Sequence, residues 1–351
     1  MEYYVIGTMS GSSLDGFDVV YACFNKTDKW NFKILFSKCY KYSKKWKDSL
    51  VNARSLNDKD LQSLHNNYGI LNGEFINDFI RINKIDKNDI YCVSSHGHTI
   101  FHEPDKKINF QLGNGAYIAK ISNLKVVCDF RTKDISLGGQ GAPLVPIGDK
   151  LLFSEFDYCL NIGGIANISF NKDGKTIAGD LCFANMASNY LIQSSGLEYD
   201  DGGNIARSGQ VNNRLVEELN CLPFFNKSFP KSLAIEDFNS WFKPVLDKYE
   251  IANKDKLASL GEHLAFIISN NIPLSKTLLI SGGGAYNDYW VSLLINKYNI
   301  NCVLPSNDII EYKEALIFAF LGLLKLQNKI NVLSSYTGAK KDCSSGVVYE
   351  C

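Results

Sequence analysis

The chain has 351 residues, 45% of them apolar and 21% charged, and its 37 basic residues balance 37 acidic ones. That length favours two domains with enough apolar residues to bury a core, while zero net charge argues against a nucleic-acid partner, whose binders are visibly basic. The longest apolar run, residues 315–324, is too short to span a bilayer and suits a core helix, so no membrane partner is expected either.

The ten cysteines are scattered without a C-x-x-C pair, several within apolar runs such as Tyr91-Cys92-Val93 and Val127-Cys128. They read as buried reduced thiols of a cytoplasmic protein rather than a disulfide frame or zinc site. The N-terminus runs at once into a strand with no basic segment before it, so no signal peptide is expected.

In chain order, strand-like runs at residues 3–7, 17–24 and 30–42 come first. A helix is expected over 61–82, where Leu61, Leu64, Tyr68, Leu71, Phe75 and Phe79 recur at helical spacing. A buried strand at 90–93, a helix at 114–122 and a strand at 125–128 complete a β-β-β-α-β-α-β order. Beyond a loop rich in Gly and Pro at 138–146 the order begins again, with strands at 158–162, 165–170 and 175–181 and a helix at 184–194. Strand 277–280, helix 288–297, strand 301–304 and helix 313–325 finish it, after an insertion at 196–275. The repeat points to an α/β fold of two like domains, 1–130 with 331–351 returning to it, and 131–330. A ligand then belongs in the cleft between them.

Each half opens on a hairpin with glycine at its turn. In the first, Gly7-Thr8-Met9-Ser10-Gly11-Ser12-Ser13-Leu14-Asp15-Gly16-Phe17-Asp18 joins two strands. Free N–H groups in such a turn can cradle phosphate, and Asp15 and Asp18 suit a metal better than a bare anion. A ligand-free hairpin is the plain alternative. The second half opens on Asn161-Ile162-Gly163-Gly164-Ile165, and Ser281-Gly282-Gly283-Gly284-Ala285 follows a later strand and leads to a helix. No Walker A loop is present, and Gly113-Asn114-Gly115 and Gly139-Gln140-Gly141 lack the third glycine of a dinucleotide fingerprint. Three such turns in repeated contexts favour a nucleotide divided between two domains.

Asp180 ends the third strand of the second half, where it could act as a general base or merely flank the helix as a cap. Glu314 opens the last helix, a place for ordinary dipole chemistry or for a sugar contact. Arg131 follows a strand and could reach a ligand hydroxyl or pair with Asp129. Ser95-His96-Gly97-His98-Thr99 carries an H-x-H of the kind metal-dependent hydrolases use, but His65, His102 and His263 are too isolated to complete a ligand set. No G-x-S-x-G elbow marks a serine nucleophile.

The stretch 7–18 closely resembles the opening motif of the anhydro-N-acetylmuramic acid kinases. So do Ser95-His96-Gly97-His98-Thr99-Ile100, Gln111-Leu112-Gly113-Asn114-Gly115, and Asp129-Phe130-Arg131 with Gly138-Gly139-Gln140-Gly141-Ala142-Pro143-Leu144. Asn161-Ile162-Gly163-Gly164-Ile165-Ala166-Asn167-Ile168, Ser281-Gly282-Gly283-Gly284-Ala285 and Thr337-Gly338-Ala339 continue the match in the family's order, over essentially the whole chain.

The resemblance implies two ribonuclease-H-like domains of the sugar kinase, actin and chaperone ATPase superfamily, with ATP and Mg²⁺ in the cleft. It implies a cytoplasmic enzyme of cell-wall recycling that cleaves the 1,6-anhydro bond of anhydro-N-acetylmuramic acid and yields N-acetylmuramic acid 6-phosphate and ADP. Asp180 stands at the family's base position. Gly11, Ser12, Ser13, Leu14, Asp15, Gly16, Phe17 and Asp18 would hold phosphate, with Asp15 and Asp18 beside Mg²⁺. Gly163, Gly164, Gly282, Gly283 and Gly284 would also line the nucleotide. Arg131, Glu314, His96 and Asn185 would meet the amino sugar, and a homodimer follows by analogy. One departure is local: many members read Asp-Thr-Gly-Pro where this chain has Asp180-Leu181-Cys182-Phe183-Ala184-Asn185. The change matters if that turn needs a left-handed residue or a close ligand approach. The competing reading is an ATP-binding member inactive on this sugar or acting on another amino sugar.

Overall fold

A computed structural model describes every residue except Ser12 and Ser13. It forms two compact units, residues 1–152 with 312–351, and residues 153–311.

In the first unit β1 (Glu2–Ser10), β2 (Phe17–Lys26) and β3 (Trp30–Tyr40) form an antiparallel meander. Ser43 caps α1 (Lys44–Asn52), and Asn57 caps the long α2 (Asp58–Ile82), each accepting a bond from a first-turn N–H. Tyr68, Ile76 and Phe79 of α2 are fully buried against Ile6, Phe17 and Val93, with Leu61, Leu64, Leu71 and Phe75 half-buried beside them. The helical face expected from the spacing is therefore the packed one.

β4 spans Ile90–Glu103, far beyond the expected residues 90–93, and its far half forms a hairpin with β5 (Ile108–Leu112). β4 lies parallel to β1, and after α3 (Gly115–Ser122) β6 (Val126–Cys128) lies parallel to β4. The sheet order is β3-β2-β1-β4-β6, with a C-terminal strand, Val347–Tyr349, antiparallel on β6.

Two short helices follow, α4 (Thr132–Ser136) and α5 (Pro146–Leu152). The first compact unit therefore runs past the expected boundary at 130 to residue 152, and reclaims the chain at 312 rather than 331. The reason is packing. Asp149 of α5 pairs with Lys313 at 2.7 Å, and Ile317 lies against Gly148. Gly7 of β1 sits so close to the helix Asn307–Leu326 that a Cβ there would stand 2.0 Å from Ala315 O and 2.7 Å from Ala319 Cβ.

The second unit repeats the plan. β7 (Tyr158–Ile162), β8 (Ile165–Lys172) and β9 (Lys175–Phe183) form the meander. After α6 (Asn185–Ile192) and the insertion, β10 (Thr277–Ser281) and β11 (Asn301–Val303) add in parallel, giving the order β9-β8-β7-β10-β11. Both sheets thus carry the ribonuclease-H-like arrangement of an antiparallel meander extended by parallel strands. The insertion has its own core, where Phe224, Leu233, Phe238, Phe242 and Leu246 gather with Phe183.

Candidate active site

The first turn joins β1 to β2. Leu14 takes a left-handed φ of 59° and donates its N–H to Gly11 O at 3.3 Å. Gly16 is dictated by its neighbours, since a Cβ there would stand 2.4 Å from Cys39 Sγ and 2.8 Å from Tyr40 O. Phe17 is fully buried, its ring 5.7 Å from that of Phe75, so its side chain belongs to the core and only its backbone remains for a ligand. Asp15 is exposed, and Asp18 is half-buried opposite Met9 of β1. The expected contacts through Ser12 and Ser13 lie outside the described residues.

Ser10, the last residue of β1, anchors a buried polar chain. Tyr42 donates to Ser10 Oγ at 2.8 Å, Tyr68 OH lies 2.5 Å from Tyr42 OH, and His98 Nδ1 lies 3.0 Å from Ser10 Oγ. Burial lowers His98 to about 4, so its ring stays neutral. Sequence reasoning missed Tyr42 and Tyr68, because an aromatic residue in an apolar run gives no sign that its hydroxyl is shared.

His96, Arg131 and Glu314 are brought together in the same unit. Arg131 donates to His96 Nε2 at 2.9 Å and to Gly141 O at 2.7 Å. Burial lowers Arg131 to about 10, against the pull of Glu314 and Asp129, so it stays charged at neutral pH. Burial holds His96 neutral, helped by the Arg131 charge. The Glu314 carboxyl is raised by burial first; Lys313 and Arg131 lower it, and Asp18 and Asp149 raise it. His96 Nδ1 and Arg131 Nε are buried without a hydrogen-bond partner, which is uncommon in a folded protein and fits a site completed by a polar ligand.

The Gly138–Leu144 run forms a clasp with the chain's last segment. Asp134, fully buried, accepts from Gly141 N and from Thr337 Oγ1, each at 2.8 Å, and Gln140 N donates to Thr337 O at 2.7 Å. A Cβ on Gly139 would lie 2.2 Å from Asp134 Oδ2. Both sequence motifs were visible, but nothing in the sequence joined them to each other or to Asp134.

In the second unit Asp180 lies near the end of β9. Its backbone N–H donates to Lys231 O at 2.8 Å, and its Oδ2 accepts from Leu233 N at 2.8 Å. Burial raises the carboxyl to about 6, and the Leu233 N–H opposes the shift. A carboxylate with that value is mostly ionised at neutral pH yet basic enough to take a proton, as a general base requires.

The altered stretch after Asp180 holds no left-handed residue, but Ala184, just before α6, takes φ −123° and ψ −104°, outside the helical and extended regions. β9 continues through Phe183. Leu181, Cys182, Phe183 and Ala184 are all fully buried, and the Phe183 ring meets Phe238 at 5.3 Å, Trp241 at 5.5 Å and Phe242 at 4.9 Å. Phe183 thus enters the insertion's core, while Leu181, Cys182 and Ala184 pack into the core of the unit's own sheet. α6 then begins against the 163–164 turn: Ala184 and Met186 N–H donate to Gly164 O at 2.9 and 3.1 Å, and Asn185 N–H to Gly163 O at 3.1 Å. The Asn185 amide makes a long 3.4 Å contact to Ile162 O.

The glycines of this unit fall into two kinds. Gly282 has φ 80°, and a Cβ on Gly284 would strike Ile162 Cγ2 at 2.2 Å, so the fold itself requires both. Cβ atoms on Gly163, Gly164 and Gly283 would meet nothing closer than 3.7 Å, and none of the three has a positive φ. These three glycines have no packing reason, and open backbone of that kind is what close approach of a nucleotide needs.

No group of three or more His, Cys, Asp or Glu able to hold a metal occurs among the described residues. His96 Nε2 and His98 Nδ1 are engaged by Arg131 and Ser10. Mg²⁺ asks for less, since it keeps several waters and takes one or two carboxylates with substrate phosphates. Asp15 and Asp18 fit that requirement.

A family model described as anhydro-N-acetylmuramic acid kinase matches residues 3–351. The chain is 33% identical to the anhydro-N-acetylmuramic acid kinase of Sulfurimonas denitrificans over 100% of both chains. It is 36% identical to that of Sulfurovum sp. over 98% of both, and 31% identical to that of Mannheimia succiniciproducens over 99% of both. Among solved structures, an activator of 2-hydroxyisocaproyl-CoA dehydratase from Clostridium difficile aligns over 92% of this chain and 97% of its own, at 13% identity and a TM-score of 0.45. That likeness is too distant to bear on the site. The full-length family match and the relatives above 30% identity decide the matter: this chain belongs to the anhydro-N-acetylmuramic acid kinase family.

Proposed function

We propose that the chain phosphorylates 1,6-anhydro-N-acetylmuramic acid at O6 at the expense of ATP while opening its anhydro ring; the names of its relatives support a kinase of that sugar. The observation that carries the residue-level reading is Asp180, a half-buried carboxylate raised to about 6 near the end of β9. Asp180 takes a proton from the water that adds to the anomeric carbon. The bond from that carbon to O6 breaks with its electron pair going to O6, O6 attacks the γ-phosphorus, and ADP leaves. The proton accepted by Asp180 is the one the overall reaction releases.

Phosphoryl transfer asks the protein chiefly for positioning and charge stabilisation. Arg131 supplies a fixed cation, and His96, Glu314 and Asn185 supply polar contacts to the sugar. The β1–β2 turn holds phosphate, with Gly163, Gly164 and Gly283 giving the nucleotide room. Asp15 and Asp18 would hold Mg²⁺, which would supply charge neutralisation to the phosphates. Ten free cysteines support a reducing cytoplasm as the place of work, and no helix among the described residues is long and apolar enough to cross a membrane.

The test is ADP release measured with the anhydro sugar against N-acetylglucosamine, glucose and N-acetylmuramic acid. Release should require the anhydro sugar. Asp180→Asn should abolish turnover while leaving ATP affinity within a few fold; near-normal turnover would remove Asp180 as the base.

A further inference from the structure

The insertion between α6 and β10 does more than enlarge the second unit. Residues 229–233 of it run beside β9 at Asp180. The Asp180 N–H donates to Lys231 O at 2.8 Å, and two residues on the Leu233 N–H returns a bond to Asp180 Oδ2, also at 2.8 Å. The approach is close enough that a Cβ on Gly179 would lie 2.8 Å from both Lys231 O and Phe229 Cδ1. This gives Gly179, a glycine inside a strand, a specific reason: backbone meets backbone there.

The segment is itself held from behind. The Lys231 ammonium lies 4.9 Å from the Phe224 ring centroid and 5.4 Å from that of Phe229. Leu233 and Phe224 are buried in the aromatic core that also contains Phe183, three residues after Asp180. One cluster therefore fixes both the strand that carries the acid and the segment that hydrogen-bonds it.

We infer that residues 231–233 are a positioning clamp for Asp180, with the Leu233 N–H setting both the direction of the carboxylate and the ease with which it ionises. The inference rests on the reading of Asp180 as the base. A backbone N–H bonds the ionised carboxylate in preference to the protonated one, so it keeps the group available as a base at neutral pH despite burial. Among the described residues the other ionisable groups in play are Cys182 on the same strand, whose buried thiol is raised, and Lys231, which acts on that thiol and is itself lowered by burial and by Lys227. The β8 partner of Asp180 is the uncharged Asn167.

The test replaces the Leu233 residue by its α-hydroxy analogue through nonsense suppression, which exchanges the N–H for an ester oxygen and keeps the side chain. The pH profile of kcat/KM for the sugar should move its acid limb upward by about one unit. Activity should fall several-fold at pH 6.5 and recover toward the parent value at pH 8.5, with KM for ATP unchanged. Leu233→Pro, which also lacks the N–H, should shift the limb in the same sense if it folds; Leu233→Ala, which retains it, should leave the limb in place. An ester variant with an unmoved acid limb overturns the clamp, as does a loss equal at every pH. Failure of the underlying reading appears separately, as retained turnover in Asp180→Asn.

Discussion

In the first unit, the hairpin β1–β2 ends at Ser10, which is tied into a buried chain of hydroxyls and an imidazole. In the second, the matching hairpin β7–β8 turns on Gly163 and Gly164, and its strands pack Leu160, Ile162, Ala166 and Ile168 into an apolar core. The strand orders are the same, yet the candidate site residues are fixed by different means. Arg131, His96 and Glu314 depend on a polar lattice in which Asp134 and the Asp149–Lys313 pair stand nearby. Asp180 depends on an aromatic core contributed by the insertion. A buried polar lattice specifies orientation and is damaged badly by losing one member, whereas an apolar core loses stability in proportion to what is removed.

This contrast can be broken by experiment. The largest expected effect is on activity, in Arg131→Ala. Removing the cation strips His96 and the Gly141 carbonyl of their donor and leaves Glu314 more protonated, and kcat/KM should fall by about 100-fold or more. Steady-state kinetics with intact thermal stability would locate the loss in the site; a parallel collapse of Tm would make Arg131 a folding residue instead.

Two stability variants come next. Asp149→Ala should cost about 3–5 kcal/mol because it removes the buried carboxylate that pairs with the Lys313 ammonium. Phe183→Ala should cost about 3–5 kcal/mol through a cavity in the insertion core. Urea unfolding distinguishes them in a second step. The double replacement of Asp149 and Lys313 by apolar residues should restore much of the first loss, while no polar partner restores the second.

A smaller effect concerns acid. Burial lowers His98 of the first unit to about 4 and His263 of the second to about 3. Both folded values lie below the unfolded one near 6.5, so the unfolded chain binds protons first. Stability is therefore full above about pH 6.5 and declines as pH falls toward 4, each histidine contributing up to about 1.4 kcal/mol per pH unit. Asp180 and Glu314, both raised, act in the opposite sense at the acid end and soften the decline. Replacing His98 and His263 one at a time should flatten the curve of thermal stability against pH; a curve unchanged in both would show that neither ring is kept neutral by the fold.

The smallest effect separates two neighbouring glycines. Gly283→Ala should change stability by no more than about 0.5 kcal/mol and yet raise KM for ATP, because only a ligand needs that space. Gly284→Ala should destabilise through its clash with Ile162, whatever is bound. Equal behaviour of the two in thermal unfolding would remove the distinction.

Much of this arrangement was readable in the residues. The repeated order of strands, the 3.6-residue periodicity of α2 and the strand-end position of Asp180 follow from local patterns, and local patterns survive in sequence. What could not be read depends on partners far away along the chain. The strand expected over 90–93 continues because β1 pairs with residues 94–95, β6 pairs with Ser94, and β5 folds back on the chain from His98 onward, which buries residues 94–98. Leu233 lies 53 residues from Asp180, and an apolar side chain says nothing about where its N–H points. Phe17 sat in a stretch that suggested phosphate, but alternation along β2 sends its ring to the core. The bulky residues after Asp180 suggest a disturbed turn in sequence alone, and their destinations, the sheet core for Leu181 and the insertion core for Phe183, depend on distant partners.

The clasp between residues 134–141 and Thr337 has a consequence for how the protein is made. Asp134 is fully buried, and one of its two described side-chain donors comes from a residue 203 positions later. During synthesis the loop that receives the Arg131 side chain must wait, with its buried carboxylate short of a partner, until residue 337 has left the ribosome. Every residue proposed to act on sugar or nucleotide has been made by then. The clasp beside Arg131 is therefore among the last contacts of the first unit that synthesis can complete.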